Sequence, residues 1–282
     1  LRKNLTSSIL VDKKISHTKM SGEMEPASEL TPELRAFVEF VAKKGRELYR
    51  DLPWRRTYDP YAIWISEVML QQTQVSRVDG RWQRWLERFP TVDALAAAAP
   101  SDVLEEWQGL GYNRRALSVH RAAQAISEAG GVFPQDQKEL VKLPGIGPAT
   151  AAGIRAFAFN LHGVYLETNV RTVFLHELYP QAEGVPDSEL VPLVELTCPA
   201  SVEDAADADG AANVVDADGA AGADTAVDTA ANADETELTP RSWYYALLDY
   251  GAYLKKTIPN PSRRSKSHVK QSRFEGSHRQ KR

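Results

Sequence analysis

Leu143-Pro144-Gly145-Ile146-Gly147-Pro148-Ala149-Thr150-Ala151 is the stretch on which the fold turns. Two glycines two residues apart let the backbone turn tightly and approach a partner closely. Thr150 and Ala151 then open a helix, whose first amides lack intrahelical acceptors and can face a phosphate. Read this way, the segment is a hairpin between helices that grips a nucleic-acid backbone, with Gly145, Gly147 and Thr150 at the contact. A bare Pro-Gly-x-Gly serves equally well as a plain helix-turn-helix connection in an all-helical domain. The flanking sequence separates the two readings.

Upstream lies Ser66-Glu67-Val68-Met69-Leu70-Gln71-Gln72-Thr73. Helical spacing puts Ile63, Leu70 and Gln74 on the face of Glu67, so the carboxyl points toward apolar or amide-lined surroundings. Such surroundings raise a carboxyl pKa, and a protonated Glu can give a proton to a poor leaving group before its bond to a sugar breaks. A solvent-facing Glu is the bland alternative. Downstream, in Val164-Tyr165-Leu166-Glu167-Thr168-Asn169-Val170-Arg171, Thr168 or Asn169 is expected to cap a new helix. Glu167 then sits at the positive helix end and stays ionised. One carboxylic acid and one carboxylate form the pair expected for cleaving a glycosidic bond through an oxocarbenium-like transition state.

The rest of the chain reads as all-α. Leu34, Phe37, Val38 and Val41 share a stripe, and Val78, Trp82, Trp85 and Phe89 recur at spacings of four, three and four. Ser101 reads as an N-cap, Ala116, Val119, Ala123 and Ile126 line the next helix, and Gly130-Gly131 closes it. Trp243, Leu247, Tyr250 and Leu254 carry a final helix. No strand pattern is found. Residues 1–30 are polar and without periodicity, which predicts disorder and a true start nearer Met20 or Met24. Residues 199–238 are almost all Ala, Asp, Gly, Thr and Val, with Asp-Ala-Asp-Gly-Ala-Ala at 207–212 repeated at 216–221, and read as an acidic low-complexity insertion.

Charge is strongly segregated. Eleven acidic residues between Glu203 and Glu237 face no Lys or Arg, whereas residues 257–282 form a basic tail within a segment, Lys255 to Arg282, that holds ten Lys or Arg against Glu275 alone. A polyanion partner fits the basic remainder. No apolar run long enough for a membrane span and no signal-peptide pattern appear, so no membrane partner is expected and the reading is cytoplasmic, nucleoid-associated and monomeric. A single cysteine, Cys198, excludes a disulfide framework, and the six scattered histidines predict no metal site.

On these motifs the chain resembles the helix-hairpin-helix DNA glycosylases, and among them the adenine-DNA glycosylases of the MutY type. Leu52-Pro53-Trp54-Arg55, Ser66 to Gln74, Gly109-Leu110-Gly111-Tyr112 and Leu143 to Gly147 stand in that family's order and approximate spacing. The resemblance implies a two-lobed fold with the active site in the cleft between lobes. It implies that Glu67 protonates an excised adenine, that Gln72 and Tyr112 enter the base stack, and that Trp54, Arg55, Asp249 and Asn169 line the base pocket. The partner implied is double-stranded DNA with a mismatched or oxidised base pair, adenine opposite guanine or 8-oxoguanine. A monovalent cation on hairpin carbonyls is consistent with the family. The lobes expected are a helical barrel at 61–165 ending in the hairpin, and a second lobe from 31–60, 166–198 and 239–256.

Four departures matter. Glu167-Thr168 replaces the family's Asp-Gly, lengthening the catalytic side chain by about 1.5 Å. Ala149 stands where bifunctional relatives place a Schiff-base lysine, which predicts base removal without lyase activity. Lys255, Ser262, Ser265 and Gln271 stand at the spacing of the four iron-sulfur cysteines, which predicts no cluster, and the C-terminal 8-oxoguanine-recognition domain is expected to be absent. Two alternatives stay open: a mismatch thymine- or uracil-DNA glycosylase of the same superfamily, and a non-catalytic protein that binds DNA or abasic sites.

Overall fold

The computed structural model describes residues 30–201 and 238–267. The expectations for residues 1–29, for the acidic insertion at 202–237 and for the tail beyond 267 lie outside the described residues. Those described carry twelve α-helices and two 3-10 turns, with no strand among them beyond an isolated bridge between Val185 and Ser265. No helix among them is long and apolar enough to cross a membrane.

Helix α1 (Pro32–Glu47) starts where Thr31 accepts the Leu34 N–H, and it buries Phe37, Val41 and Gly45. A 3-10 turn at Pro53–Arg55 leads to α2 (Pro60–Leu70), whose first amides donate to the Asp59 carboxylate. Tyr61 through Ser66, Val68 and Met69 are all buried, so α2 is a core helix, and Glu67 is its only charged residue. It stops at Leu70. Gln74, expected on the Glu67 face, instead precedes α3 (Val75–Val78). The single helix expected over Val78 to Phe89 is broken at Gly80, whose φ of 77° is left-handed, and α4 (Arg81–Arg88) begins after it. The break preserves the buried register of Val78, Trp82, Trp85 and Phe89.

After α5 (Val92–Ala97) comes α6 (Pro100–Glu106). Ala99 is its N-cap and Ser101 lies inside it, because Pro100, with φ already helical and no N–H to satisfy, takes the first position. Helix α7 (Arg114–Glu128) buries the expected Ala116, Val119, Ala123 and Ile126 and closes with the Gly131 N–H on the Ile126 carbonyl, 2.9 Å. The hairpin follows as α8 (Gln137–Leu140), a tight turn and α9 (Pro148–Ala158). Proline again sets the first position, so α9 opens two residues before Thr150. Helix α2 packs along α9, α8 along α9, and α5 and α6 against α7.

Helices α10 (Thr168–Glu177), α11 (Asp187–Thr197) and α12 (Pro240–Thr257) and a 3-10 turn at Pro261–Arg264 complete the chain. Two compact units result. One comprises described residues 30–49, 166–197 and 245–267, the other 50–165, 198–201 and 238–244. Residues 50–60 and 239–244 therefore fall with the hairpin unit and not, as expected, with the other lobe. The reason is Arg241, whose buried guanidinium donates to the carbonyls of Arg55 (2.9 Å), Thr57 (2.8 Å) and Phe157 and ties both segments down. In the first unit the Phe37 and Phe174 rings meet edge-on at 5.1 Å, and Arg171 pairs with both oxygens of Asp187 at 2.9 Å. Arg264 donates to the carbonyls of Leu175 (2.7 Å), Tyr179 (2.5 Å) and Pro180 (2.6 Å), closing the C-terminal end of α10. This basic residue covers a helix end and is not offered to phosphate.

Candidate active site

The two hairpin glycines do different work. Gly145 has a φ of 81°, and a Cβ there would stand 2.6 Å from Ser118 Cβ, so it serves both the turn and the seating of the hairpin on α7. Around Gly147, the N-cap of α9, nothing lies within 4 Å of a notional Cβ, which leaves its backbone open to close approach. Thr150 departs from expectation: its side chain is buried and its hydroxyl accepts from the Gln71 amide at 3.1 Å. What remains for a phosphate at this position is the backbone N–H of the first helical turn.

Glu67 is half-buried, and its Oε2 accepts the Tyr165 hydroxyl at 2.9 Å. Beneath it runs α9, where a Cβ on Gly153 would stand 2.4 Å from Glu67 Oε2 and 3.0 Å from Tyr165 Cε2. Tyr165 is itself fixed. Its ring meets Phe157 edge-on at 5.3 Å and Tyr244 at 5.4 Å, and its N–H donates to the Tyr244 hydroxyl at 3.1 Å. Sequence reasoning singled out neither Gly153 nor Tyr165. The available signal was a glycine inside an alanine-rich helix, where it costs about 1 kcal/mol relative to alanine and so marks a close approach.

Gln72 and Tyr112 border one groove of about 590 Å³ together with Pro144 and Gly145, so the expected stack-entering residues and the hairpin are brought together. Tyr112 is exposed. Trp54 and Arg55 are buried in the same unit, Trp54 edge-on to Trp82 at 6.2 Å and Arg55 donating to the Arg50 carbonyl at 3.1 Å.

The other unit holds Glu167, Asn169 and Asp249. Glu167 is itself the N-cap of α10, in place of Thr168 or Asn169: its Oε1 accepts the N–H groups of Asn169 (2.5 Å) and Val170 (3.3 Å). Burial pushes the Glu167 carboxyl above its ordinary range, against the opposing pull of the Lys255 charge and of those helix N–H groups. A plainly ionised carboxylate was expected, and the helix end alone would have given one; desolvation outweighs it. Asn169 Oδ1 is buried without a hydrogen-bond partner. Gly251 lets α12 cross there, since a Cβ would stand 2.4 Å from the Asn169 carbonyl. Asp249, on α12, is buried.

An iron-sulfur cluster needs thiolates at four positions. Lys255 is half-buried on α12, Ser262 and Ser265 are buried in the following turn with Ser262 donating from N (3.0 Å) and Oγ (2.9 Å) to Asn260 Oδ1, and Gln271 lies outside the described residues. None supplies a thiolate, and the residues present do not fit the group. Among the described residues no group of three or more His, Cys, Asp or Glu is placed to hold a metal.

The model of the HhH-GPD superfamily of base excision DNA repair proteins matches residues 65–233. An adenine DNA glycosylase of Mycolicibacterium smegmatis is 43% identical over 152 residues, which is 53% of this chain and 52% of that protein. One from Homo sapiens is 39% identical over 134 residues, 44% of this chain and 24% of that one. The chain thus spans about half the length, or less, of these curated relatives. The solved structure of a thermostable thymine-DNA glycosylase superposes with a TM-score of 0.60 over 81% of this chain and 90% of that one, at 19% identity, which is a likeness of fold.

Proposed function

We infer that this chain, which belongs to the HhH-GPD superfamily of base excision DNA repair proteins, hydrolyses the N-glycosidic bond of adenine mispaired with guanine or 8-oxoguanine in double-stranded DNA. The single observation that carries this reading is the Glu67 carboxyl, hydrogen-bonded to Tyr165 and seated over a helix that gives up its side chain at Gly153. The adenine DNA glycosylases at about 40% identity support adenine as the base.

The Glu67 carboxyl, whose Oε2 accepts from the Tyr165 hydroxyl, carries the proton. That proton passes to a ring nitrogen of the base as the bond from the sugar C1′ breaks, and the bonding electron pair leaves with adenine. Positive charge develops on the sugar. Ionised Glu167 stabilises it and then takes a proton from the water that bonds to C1′, leaving an abasic site. Gln72 and Tyr112 fill the gap left by the extruded nucleotide, and the open backbone at Gly147 meets a phosphate. Ala149 offers no amine to attack the sugar, so the strand stays intact.

The test is release of free base from duplexes with adenine opposite 8-oxoguanine, adenine opposite guanine, and thymine or uracil opposite guanine, using wild type, Glu67→Gln and Glu167→Gln. Adenine release lost in both variants supports the reading. Pyrimidine release moves the substrate, and intact binding without any release makes the chain a DNA-binding relative.

A further inference from the structure

Gln72 (φ 54°) and Tyr112 (φ 51°) hold left-handed backbone on the two loops that rim the groove beside the hairpin. For a side chain as bulky as tyrosine this conformation is strained, and it persists only where neighbouring structure over-determines it. One residue reaches both loops. Arg115, in the first turn of α7, donates from Nη1 to the carbonyls of Val68 (2.7 Å) and Gln71 (2.6 Å), and from Nη2 toward Thr73 Oγ1 (3.4 Å). These acceptors bracket Gln72. The same Nη2 faces the carbonyls of Leu110 (3.2 Å) and Gly111 (3.3 Å), the two residues that lead into Tyr112. Its guanidinium carbon lies 5.4 Å from the centre of the Tyr112 ring and 5.4 Å from that of Trp107.

The guanidinium is therefore committed mostly to main chain, although Arg115 lines the groove beside Arg114. Its planar fork also fixes the distance between the two loops, which a lysine ammonium would not do. We propose that Arg115 is the positioning residue that couples Gln72 to Tyr112, so that the two side chains enter a duplex as one wedge and base extrusion fails when the coupling is cut. The proposal rests on the reading of the chain as a base-extruding glycosylase.

The full chain is compared with Arg115→Gln, Arg115→Lys, Gln72→Ala, Tyr112→Ala and the doubles. Extrusion is read from 2-aminopurine fluorescence beside the target adenine, and chemistry from single-turnover release. Two substrates are used, a duplex with adenine opposite 8-oxoguanine and the same adenine unpaired in a loop. Arg115→Gln is expected to abolish most of the fluorescence rise and to slow release from the duplex about 100-fold. Release from the loop, where extrusion costs least, changes far less. Adding Gln72→Ala or Tyr112→Ala to Arg115→Gln costs little more. Equal losses on both substrates, or additive costs, overturn the coupling. Should Arg115→Gln fail to fold, Arg115→Lys carries the same comparison. No release and no fluorescence rise with wild type overturns the underlying activity, a result distinct from a wild type that works and an Arg115 variant that works equally well.

Discussion

Glu67 and Glu167 illustrate opposite ways of holding a carboxyl. Glu67 is placed by a tyrosine and a missing side chain. Gly153→Ala puts a methyl 2.4 Å from Glu67 Oε2 and 3.0 Å from Cε2 of the fixed Tyr165 ring, so the carboxyl, the end of a flexible side chain, is the group that gives way. The expected outcome is a melting temperature close to wild type with single-turnover release slowed about 100-fold; wild-type release would show that the acid tolerates displacement. Glu167 is held by its own helix and by burial. A carboxyl whose folded pKa is raised binds its proton more tightly in the native than in the unfolded chain, so stability falls as pH rises through the window between the two values and stays lower above it. Glu167→Gln, neutral and nearly isosteric, is therefore expected to melt higher than wild type at pH 7, with the gap closing as pH falls toward about 4. A lower melting temperature at pH 7 would show that ionised Glu167 stabilises the fold. Lys255→Gln removes a charge that favours the anion, so the acid limb of the pH-rate profile is expected to move to higher pH; an unmoved limb contradicts that role. The sequence singled out both carboxyls as candidates. What was not legible was that Glu167 caps α10 itself, because capping geometry depends on where burial leaves the side chain.

At the level of elements, the helices with strong periodicity appeared where expected, and the misses have local causes. Pro100 displaced Ser101 as the start of α6, Pro148 moved the start of α9, and Gly80 split the stripe from Val78 to Phe89 without disturbing its register. Arg115 and Arg241 were invisible, because a guanidinium that satisfies carbonyls far away in sequence leaves no spacing to read. Arg264 holds three carbonyls at the end of α10, where Ser262 and Ser265 pack in the segment that would carry thiolates in a clustered relative. Its loss strands buried acceptors. Arg264→Ala is expected to cost about 2 kcal/mol and to lower Tm by roughly 4–8 °C, measured by thermal unfolding. An unchanged Tm would mean that the turn at Pro261–Arg264 contributes nothing to closing α10.

Across the whole molecule, the all-helical class and the hairpin followed from periodicity and the Gly-x-Gly turn, while the assignment of residues 50–60 did not, since it depends on the distant Arg241. Charge segregation bears on the proposed duplex binding. The eleven acidic residues between Glu203 and Glu237 stand against a basic remainder, and an acidic segment competes with phosphate for the same lysines and arginines. Deleting residues 202–237 is expected to tighten non-specific duplex binding at low salt and to steepen its salt dependence; an unchanged slope would remove any role in tuning affinity. The chemistry itself is decided by single-turnover adenine release from a duplex with adenine opposite 8-oxoguanine, wild type against Glu67→Gln. Release by wild type, with strands intact until alkali treatment and loss of at least about 100-fold in the variant, is expected if Glu67 supplies the proton. Equal release by both proteins would contradict the assignment of Glu67 as the acid.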